Sequence, residues 1–346
     1  METEPRISVL GGGSFGTAIA KVLGDNGYRV RLWMRDAQQA QRIRTEAENA
    51  RYFPGVRLAE TIAPTTDMAT AIGEADLLFI ALPSRVFRSV IRDAASHFKA
   101  GQMVVSTTKG IERSGFRLMS QVLGEELPSV TVGVLSGPNL AGELVQKELT
   151  ASVIASEDLR LRESVQQVLG NDYFRIYANL DVYGVELGGA LKNIYAVVSG
   201  LAAARDMGEN TKSMLITRSL AEMSRFAVSL GANPMTFLGL SGVGDLIVTC
   251  TSDMSRNYRV GYAMGRGASL DEAVAEVGQV AEGIRTLELV HEKARDTGVY
   301  MPLVRGLYEV LYNDVSIDRV LGALMQAAQN SDVEFILPRQ AEGAAI

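Results

Sequence analysis

Apolar and polar residues alternate in two different ways along the 346-residue chain. In the first half, short apolar runs alternate with amphipathic stretches, whereas the second half has a helical pattern without a convincing strand. Short bounded apolar runs predict buried strands, and an apolar residue every three or four positions predicts helices. The predicted strands are 7–10, 28–34, 76–81, 103–106, 131–135, 153–155 and 174–178. The predicted helices of the second half are 181–207, 213–230, 255–264, 283–297, 302–312 and 316–327. This order predicts an α/β fold, with a doubly wound domain over residues 1–180 and an all-helical domain over residues 181–346.

A glycine-rich turn follows the first predicted strand. Gly11, Gly13 and Gly16 form a G-x-G-x-x-G pattern, and a helix over about 17–26 and a second strand complete a βαβ unit. The first glycine makes the tight turn, the second lets a pyrophosphate approach the backbone, and the third allows close packing of helix on strand. Because free amides and the helix dipole favour an anion there, the pattern predicts a Rossmann dinucleotide site.

The end of the second strand indicates which dinucleotide is bound. Arg35 stands at the tip of this strand, where a guanidinium can pair with the 2′-phosphate of NADPH. Asp36, the next residue, suits the N-cap of the following helix. The sequence therefore favours NADPH. In the alternative, Arg35 is a solvated arginine and NADH binds as well.

Small or polar residues follow three further strands, and parallel sheets bind ligands at this edge. The three segments are Leu82-Pro83-Ser84, Thr107-Thr108-Lys109-Gly110 and Ser136-Gly137-Pro138-Asn139. Lys109 is the one cation among them, so it is a candidate contact for a substrate anion or for the cofactor. The alternative is an ordinary exposed loop lysine.

The stretch from Glu186 to Leu201 is small or apolar on nearly every side, yet it carries Lys192 in its middle. Gly188 and Ala196 lie four residues away on the same helical face, so another group has room to approach the lysine. Burial would lower the lysine pKa toward the range of a proton donor. In the alternative, the stem is buried and the ammonium extends to water.

Three segments of the helical half carry candidate polar chemistry. Asp245 follows three glycines and either caps the helix that it begins or holds Lys192 or a substrate hydroxyl, with Thr249 on the same face. Ser255, Arg256 and Asn257 open a helix, and together they could cradle a phosphate. Glu282 precedes a long amphipathic helix and could reach a cofactor amide or ribose, or simply suit a helix N-terminus.

Composition excludes several classes of protein. The net charge of −6 gives no electrostatic support for a nucleic-acid partner. The single cysteine, Cys250, fits a reducing cytoplasm, and the first residues do not have the pattern of a signal peptide. The longest apolar stretch carries Lys192 and Asn193 in its middle, so we do not expect it to span a membrane. Because His97 and His291 are the only histidines and lie in polar contexts, we expect surface histidines and no metal site.

The chain resembles bacterial NAD(P)-dependent glycerol-3-phosphate dehydrogenases. It contains a series of motifs of this family, in the order in which they occur there. The motifs are Gly11-Gly-Gly-Ser-Phe-Gly16, Thr108-Lys109-Gly110, Ser136-Gly-Pro138, Gly184-Val-Glu186, Ala190-Leu-Lys192-Asn193, Gly244-Asp245-Leu, Ser255-Arg256-Asn257 and Glu282-Gly283. The resemblance implies a Rossmann domain followed by a helical domain of the 6-phosphogluconate-dehydrogenase-like type, with the active site between them. It implies interconversion of dihydroxyacetone phosphate and sn-glycerol 3-phosphate for phospholipid synthesis.

The resemblance also assigns roles to individual residues. Lys192 is the implied proton donor or acceptor, with Asp245 and Lys109 as catalytic partners. The implied cofactor contacts, beside Gly11, Gly13 and Gly16, are Ser14, Phe15, Arg35, Lys109, Ala141, Arg256, Val280 and Glu282. The implied substrate contacts are Lys109, Gly137, Asn139, Lys192, Asp245, Ser255, Arg256 and Asn257. Asn139 departs from the Thr or Ser that many members have at this position.

Two other functions stay open on the sequence. A reductase of 3-hydroxy acids or of ketopantoate would use the same architecture, but a carboxylate substrate would not require the Ser255–Asn257 cradle. A regulatory protein that binds a dinucleotide without turnover would retain the glycine motif and Arg35, but it would not require Lys192 with Asp245. The apolar faces of the helical half also permit a homodimer.

Overall fold

The computed structural model describes residues 4–278 and 281–326, in which a sheet-containing half is followed by a helical half. The strands are β1 (Ile7–Leu10), β2 (Val30–Trp33), β3 (Ile62–Thr65), β4 (Leu77–Ile80), β5 (Met103–Ser106), β6 (Ile111–Glu112), β7 (Arg117–Leu118), β8 (Thr131–Ser136), β9 (Thr150–Ala155) and β10 (Phe174–Asn179). The helices of the first half are α1 (Ser14–Asp25), α2 (Ala37–Glu46), α3 (Met68–Gly73), α4 (Ser84–Ala94), α5 (Met119–Glu126), α6 (Ala141–Val145) and α7 (Leu159–Leu169). Those of the second half are α8 (Val182–Ala204), α9 (Glu209–Ser229), α10 (Asp245–Thr251), α11 (Arg256–Gly265), α12 (Leu270–Val277), α13 (Glu282–Thr297), α14 (Pro302–Tyr312) and α15 (Ile317–Gln326).

Eight strands form one sheet in the order β10-β9-β8-β5-β4-β1-β2-β3. The strands from β8 to β3 in this order are parallel, whereas β9 runs antiparallel to β8. Buried apolar side chains cover both faces, as expected for a sheet with helices on each side. The carboxyl ends of β1, β2, β4, β5 and β8 therefore meet at one edge, where Rossmann folds bind their ligands.

The predicted fold class is confirmed, with differences at the level of elements. All seven predicted strands are present, although β2 is shorter than the predicted 28–34. Strand β3, the β6–β7 hairpin and helix α12 were not predicted. The last strand ends at Asn179 and α8 begins at Val182, close to the predicted change at 180; the division into two domains stays a prediction. Residues 1–3, 279–280 and 327–346, which include the end of the last predicted helix, lie outside the described residues.

Helix α8 is the centre of the helical half. Most of its 23 residues are buried, and α9, α10, α11, α13 and α14 pack against it. A Cβ at Gly200 would lie 2.0 Å from the carbonyl oxygen of Tyr258, and a Cβ at Gly261 would lie 2.0 Å from that of Val197. These glycines let the backbones of α8 and α11 touch. Helix α8 is long and apolar enough to cross a membrane, but 83% of its most apolar window is buried inside the protein, as in a core helix.

The β6–β7 hairpin reaches from the sheet half into the helical half. Ile111 and Leu118 belong to the apolar core around α8, and the ring of Phe116 lies edge-on to Phe226 of α9, with 5.9 Å between centroids. Each strand has only two residues, so no periodic pattern announces it in the sequence. The hairpin follows Lys109 directly and thereby links the end of β5 to the helical core.

Candidate active site

Lys192 and Asp245 form a buried ion pair between α8 and α10. Lys192 is 5% exposed, Asp245 is fully buried, and the Lys192 ammonium donates to Asp245 Oδ1. The interpretation of Lys192 as a lysine that extends to water is therefore wrong. Asp245 does not cap its helix either, because Gly244 occupies the N-cap position and the carboxylate faces the lysines. A buried lysine is retained only with a partner of this kind.

The glycine at position 188 explains how Asp245 reaches the lysine. Residues Leu240–Gly244 form a π-helical turn that leads into α10. A Cβ at Gly188 would lie 2.6 Å from the carbonyl oxygen of Ser241 in this turn. The small neighbour that the sequence analysis noted beside Lys192 thus admits protein backbone, which brings Asp245 close. Thr249 Oγ1 donates to the Asp245 carbonyl at 2.6 Å, so it lies on the predicted face.

Lys109 completes a three-charge cluster. Its ammonium lies 3.1 Å from Asp245 Oδ2, 3.1 Å from Asn139 Oδ1 and 3.3 Å from the Gly137 carbonyl. Asn139 is itself held by a 2.9 Å bond from Nδ2 to Ser152 Oγ. The alternative of an ordinary exposed loop lysine is wrong. The ends of β5 and β8 and the start of α10 therefore meet at the Asp245 carboxylate.

Burial sets the protonation behaviour of this cluster. The pKa of Lys192 is lowered to about 7, because burial and, to a smaller extent, the nearby Lys109 ammonium outweigh the opposite effect of the Asp245 carboxylate. A lysine with a pKa near neutrality can both hold and release a proton at physiological pH. With both lysines charged, the cluster carries one net positive charge, which favours an oxyanion beside it.

The N-terminus of α11 lies against α8 next to Lys192. Ser255 is the N-cap, and its hydroxyl oxygen accepts from the Tyr258 N–H at 3.3 Å, as predicted. Asn257 donates to Asn193 Oδ1 at 3.0 Å and accepts from the Gly283 N–H at 2.9 Å. Asn193 follows Lys192 directly, so the start of α11 is fastened beside the lysine. Arg256 is exposed at the same helix start.

The glycine turn after β1 has the geometry of a pyrophosphate loop. Gly11 has φ +131°, which L side chains rarely adopt, and a Cβ at Gly16 would lie 1.9 Å from the Gly11 carbonyl oxygen. A Cβ at Gly13 would meet nothing within 4 Å, so a ligand can approach the backbone there. Ser14 and Phe15 begin α1, whose N-terminal amides face this space. These residues fit a dinucleotide.

Two side-chain amides that the sequence analysis missed support the loop. Gln39 Nε2 donates to the Gly12 carbonyl at 2.6 Å, and Asn49 Nδ2 donates to the same carbonyl at 3.2 Å and to Thr17 Oγ1 at 2.8 Å. Both side chains therefore hold the Gly12 carbonyl, and with it the loop, in place. Arg35 lies exposed at the tip of β2, and Asp36 caps α2 as predicted. No local pattern distinguishes Gln39 or Asn49 in the sequence.

Glu282 of α13 joins the helical half to the sheet half. Its carboxylate accepts from Ser84 Oγ, at the start of α4, at 3.0 Å. A Cβ at Gly110 would lie 3.6 Å from Glu282 Oε2, so Glu282 also lies beside the segment that carries Lys109. Ala141 begins α6 and is half-buried. Val280 lies outside the described residues.

The histidines contribute no cluster of metal ligands. Both are partly exposed, and the ring of His291 stacks on Tyr308 with 3.9 Å between centroids. Over residues 4–278 and 281–326, no group of three or more His, Cys, Asp or Glu side chains could hold a metal ion.

Comparison with known proteins identifies the family to which the chain is similar. Two family models, described as the N-terminus and the C-terminus of NAD-dependent glycerol-3-phosphate dehydrogenase, match residues 6–162 and 181–322. The glycerol-3-phosphate dehydrogenase (NAD(P)+) of Pseudomonas syringae pv. syringae is 56% identical over 336 residues, which cover 97% of this chain and 98% of the relative. That of Azotobacter vinelandii is 58% identical over 330 residues, which cover 95% and 97%.

Comparison with solved structures points to the same family. The crystal structure of glycerol-3-phosphate dehydrogenase from Coxiella burnetii superposes with a TM-score of 0.89 at 34% identity and covers 94% of this chain and 99% of that one. A ketopantoate reductase from Ralstonia eutropha has a TM-score of 0.55 at 16% identity, over 88% and 97% of the two chains, and shares the fold alone. The chain belongs to the NAD-dependent glycerol-3-phosphate dehydrogenase family.

Proposed function

We propose that this NAD(P)-dependent oxidoreductase reduces dihydroxyacetone phosphate to sn-glycerol 3-phosphate reversibly in the cytoplasm, with NADPH favoured, and thereby supplies the backbone of glycerophospholipids. The observation that carries the proposal is the cluster in which Lys192 and Lys109 share the Asp245 carboxylate beside the N-terminus of α11. Family membership supports the reaction class, and the printed names of the relatives describe glycerol-3-phosphate dehydrogenases.

Lys192 is the proposed proton donor. When NADPH is bound in the glycine loop, it would supply the hydride for the central carbon of the ketone. Negative charge then develops on the ketone oxygen, which the Lys192 ammonium stabilises before its Nζ proton moves to that oxygen. Asp245 holds the ammonium in place, and Lys109 adds a second positive charge at 3.1 Å from the same carboxylate. In the oxidative direction, neutral Lys192 accepts the proton.

The start of α11 is the proposed phosphate site. Helix N-terminal amides attract anions, and a guanidinium adds charge-assisted hydrogen bonds. The Ser255 oxygen accepts from Tyr258, which leaves its hydroxyl proton to donate to a phosphate oxygen. The Asn257 amide gives one N–H to Asn193, and the other can face the substrate. A phosphate fixed here would determine which carbon faces the hydride.

The remaining assignments concern the cofactor. We propose that Gly11, Gly13, Ser14, Phe15 and Gly16 hold the pyrophosphate and that Arg35 pairs with the 2′-phosphate. Lys109, Ala141, Arg256, Val280 and Glu282 are proposed as further cofactor contacts, and Gly137 and Asn139 as further substrate contacts.

A comparison of substrates tests the proposal. Initial rates of NADPH oxidation are measured with dihydroxyacetone phosphate, dihydroxyacetone and ketopantoate. We expect the phosphorylated ketone to react with a kcat/KM at least about 100-fold above that of dihydroxyacetone, because the phosphate contacts orient the carbonyl. Equal or greater activity on ketopantoate would favour a reductase of another substrate. Binding of NADPH without any turnover would favour the regulatory function.

A further inference from the structure

A buried carboxylate lies at the seam between the two halves, outside the catalytic cluster. Within the chain, the seam passes between Leu118, which packs in the core around α8, and Met119, which packs in the core of the sheet half. Ser120, the next residue, is in the first turn of α5. Glu186 of α8 faces this point and is 2% exposed.

Glu186 is bonded to the start of α5 by more than one hydrogen bond. The Ser120 N–H donates to the two carboxylate oxygens at 3.1 and 3.2 Å, and the Ser120 hydroxyl donates to Oε2. Burial raises the pKa of Glu186 to about 7, and the bonds from Ser120 and the Met119 backbone oppose this rise. The desolvation of the carboxylate is offset by these bonds and by the positive end of the helix dipole.

The position of Glu186 connects it to both lysines. Lys192 lies six residues further along the same helix, about 9 Å away at the rise of an α-helix. Lys109 lies on the other side of the β6–β7 hairpin, whose second strand ends two residues before Ser120. The hydrogen bonds between Glu186 and Ser120 therefore join the helix that carries Lys192 to the end of the hairpin that follows Lys109.

Other polar contacts between the halves are of a different kind. Lys109–Asp245 belongs to the catalytic cluster, and Ser84–Glu282 lies at the proposed cofactor end. Arg113 and Glu288 approach to 3.5 Å, with the Arg113 side chain 70% exposed, where an ion pair contributes little. The Glu186 carboxylate, by contrast, is buried, and its bonds to Ser120 lie away from the reacting groups.

We propose that Glu186 is a positioning residue, whose carboxylate fastens α5 to α8 and thereby holds Lys109 and Lys192 on Asp245. The kinetic test of this inference rests on the proposed function, whereas the structural role of Glu186 does not. Misplacement of a catalytic group by about 1 Å costs on the order of 100-fold in rate. Loss of the Glu186 bond therefore acts on turnover more than on binding of either ligand.

Glu222 of α9 provides a matched control. It is also 2% exposed, and it accepts from the N–H groups of Leu303 and Val304 at the start of α14, at 2.6 and 3.3 Å. Burial raises its pKa to about 7 as well. The two carboxylates therefore share burial and helix capping, but Glu222 lies wholly within the helical half.

The experiment compares Glu186→Leu, Glu186→Gln and Ser120→Ala with Glu222→Leu and Glu222→Gln. We expect Glu186→Leu to lower kcat by about 10-fold or more with KM for NADPH within about threefold. Glu186→Gln, which keeps an acceptor for the Ser120 N–H, and Ser120→Ala should lie between Glu186→Leu and the wild type. The Glu222 variants should lose thermal stability to a similar degree and keep kcat within about twofold. Equal kcat losses in the two series, or none in the Glu186 series, would overturn the inference.

A second readout needs no substrate. Acylation of Lys192 and Lys109 by a water-soluble amine reagent, followed by mass spectrometry, should be about fivefold faster in Glu186→Gln than in Glu222→Gln, because the buried pair opens. Unchanged labelling in all variants would contradict the positioning role even if the wild type failed to reduce dihydroxyacetone phosphate. That failure of the wild type would overturn the proposed function alone.

Discussion

The ammonium of Lys192 and the carboxylate of Asp245 form a buried ion pair, although 53 residues separate them in the chain. Asp245 uses its second oxygen for Lys109, so one carboxylate serves two cations. Because a lone buried charge is costly, the arrangement is stable only while all three groups stay together. We infer that this cluster is the reacting centre.

Lys192→Met tests the role of the lysine as a proton donor. The substitution keeps the buried stem but removes the ammonium, so we expect kcat to fall by about 10² to 10⁴, the range for a lost general acid. The Kd for NADPH, measured by fluorescence titration, should change little. Lys21→Met is the control, since Lys21 is 7% exposed and paired with Asp25 on α1. Wild-type turnover in Lys192→Met would refute this role.

The lowered pKa of Lys192 predicts opposite pH profiles for the two directions. Reduction requires the ammonium, so its kcat/KM should fall as pH rises through about 7. Oxidation requires the neutral amine, so its kcat/KM should fall as pH drops through about 7. Initial rates between pH 5 and 10 in both directions measure the two pH dependences. Profiles that fall on the same side would contradict a proton transfer through Lys192.

Asp245→Asn should shift the pH at which the kcat/KM for reduction falls. The Asp245 carboxylate raises the pKa of Lys192, whereas burial and Lys109 lower it. Loss of the carboxylate therefore lowers this pKa further, and the rate of reduction should begin to fall at a lower pH than in the wild type. The kcat at the optimum should also decrease, because the ammonium is no longer held. If the rate of reduction falls at the same pH as in the wild type, the pH dependence must come from the titration of a group other than Lys192.

Arg35→Ala tests the cofactor preference. Loss of one charge-assisted contact costs about 1.5–3 kcal/mol, so Kd for NADPH should rise by roughly 10- to 100-fold. Kd for NADH, which has no 2′-phosphate, should stay nearly unchanged. Arg29→Ala removes the same charge from the exposed position just before β2 and serves as the control. Similar losses for both cofactors would argue against a contact with the 2′-phosphate.

The close contact of α8 and α11 should be sensitive to a single methyl group. Gly261→Ala would place a Cβ 2.0 Å from the Val197 carbonyl oxygen, so we expect destabilisation by about 1–3 kcal/mol. Gly124→Ala in α5 is the control, because its Cβ would meet nothing within 4 Å, and it should stabilise by up to about 1 kcal/mol. Urea midpoints measure both changes. An unaffected Gly261→Ala would show that the helices can separate without cost.

Local sequence patterns predicted the elements that depend on local chemistry. The glycine loop, seven of the eight strands of the sheet and the N-caps at Asp36 and Ser255 all follow from residues close together in the chain. Lys192 was identified because a cation in an apolar helix conflicts with its surroundings. The family resemblance supplied the reaction, which periodicity does not encode.

Contacts between distant residues could not be predicted in this way. Lys109 meets Asp245 across 136 residues, and Ser84 meets Glu282 across 198. Gln39, Asn49 and Glu186 are ordinary polar residues in helical or turn segments until the fold brings them to a carbonyl or a helix end. The β6–β7 hairpin is too short for a periodic pattern to reveal it.

The most direct test of the central claim follows the hydride. The enzyme is incubated with dihydroxyacetone phosphate and NADPH that carries deuterium at the transferable C4 position, and the product is analysed by NMR. We predict sn-glycerol 3-phosphate with deuterium at C2, formed rapidly by the wild type and at a rate about 10² to 10⁴ lower by Lys192→Met. Absence of this product, or deuterium at another carbon, would contradict the account.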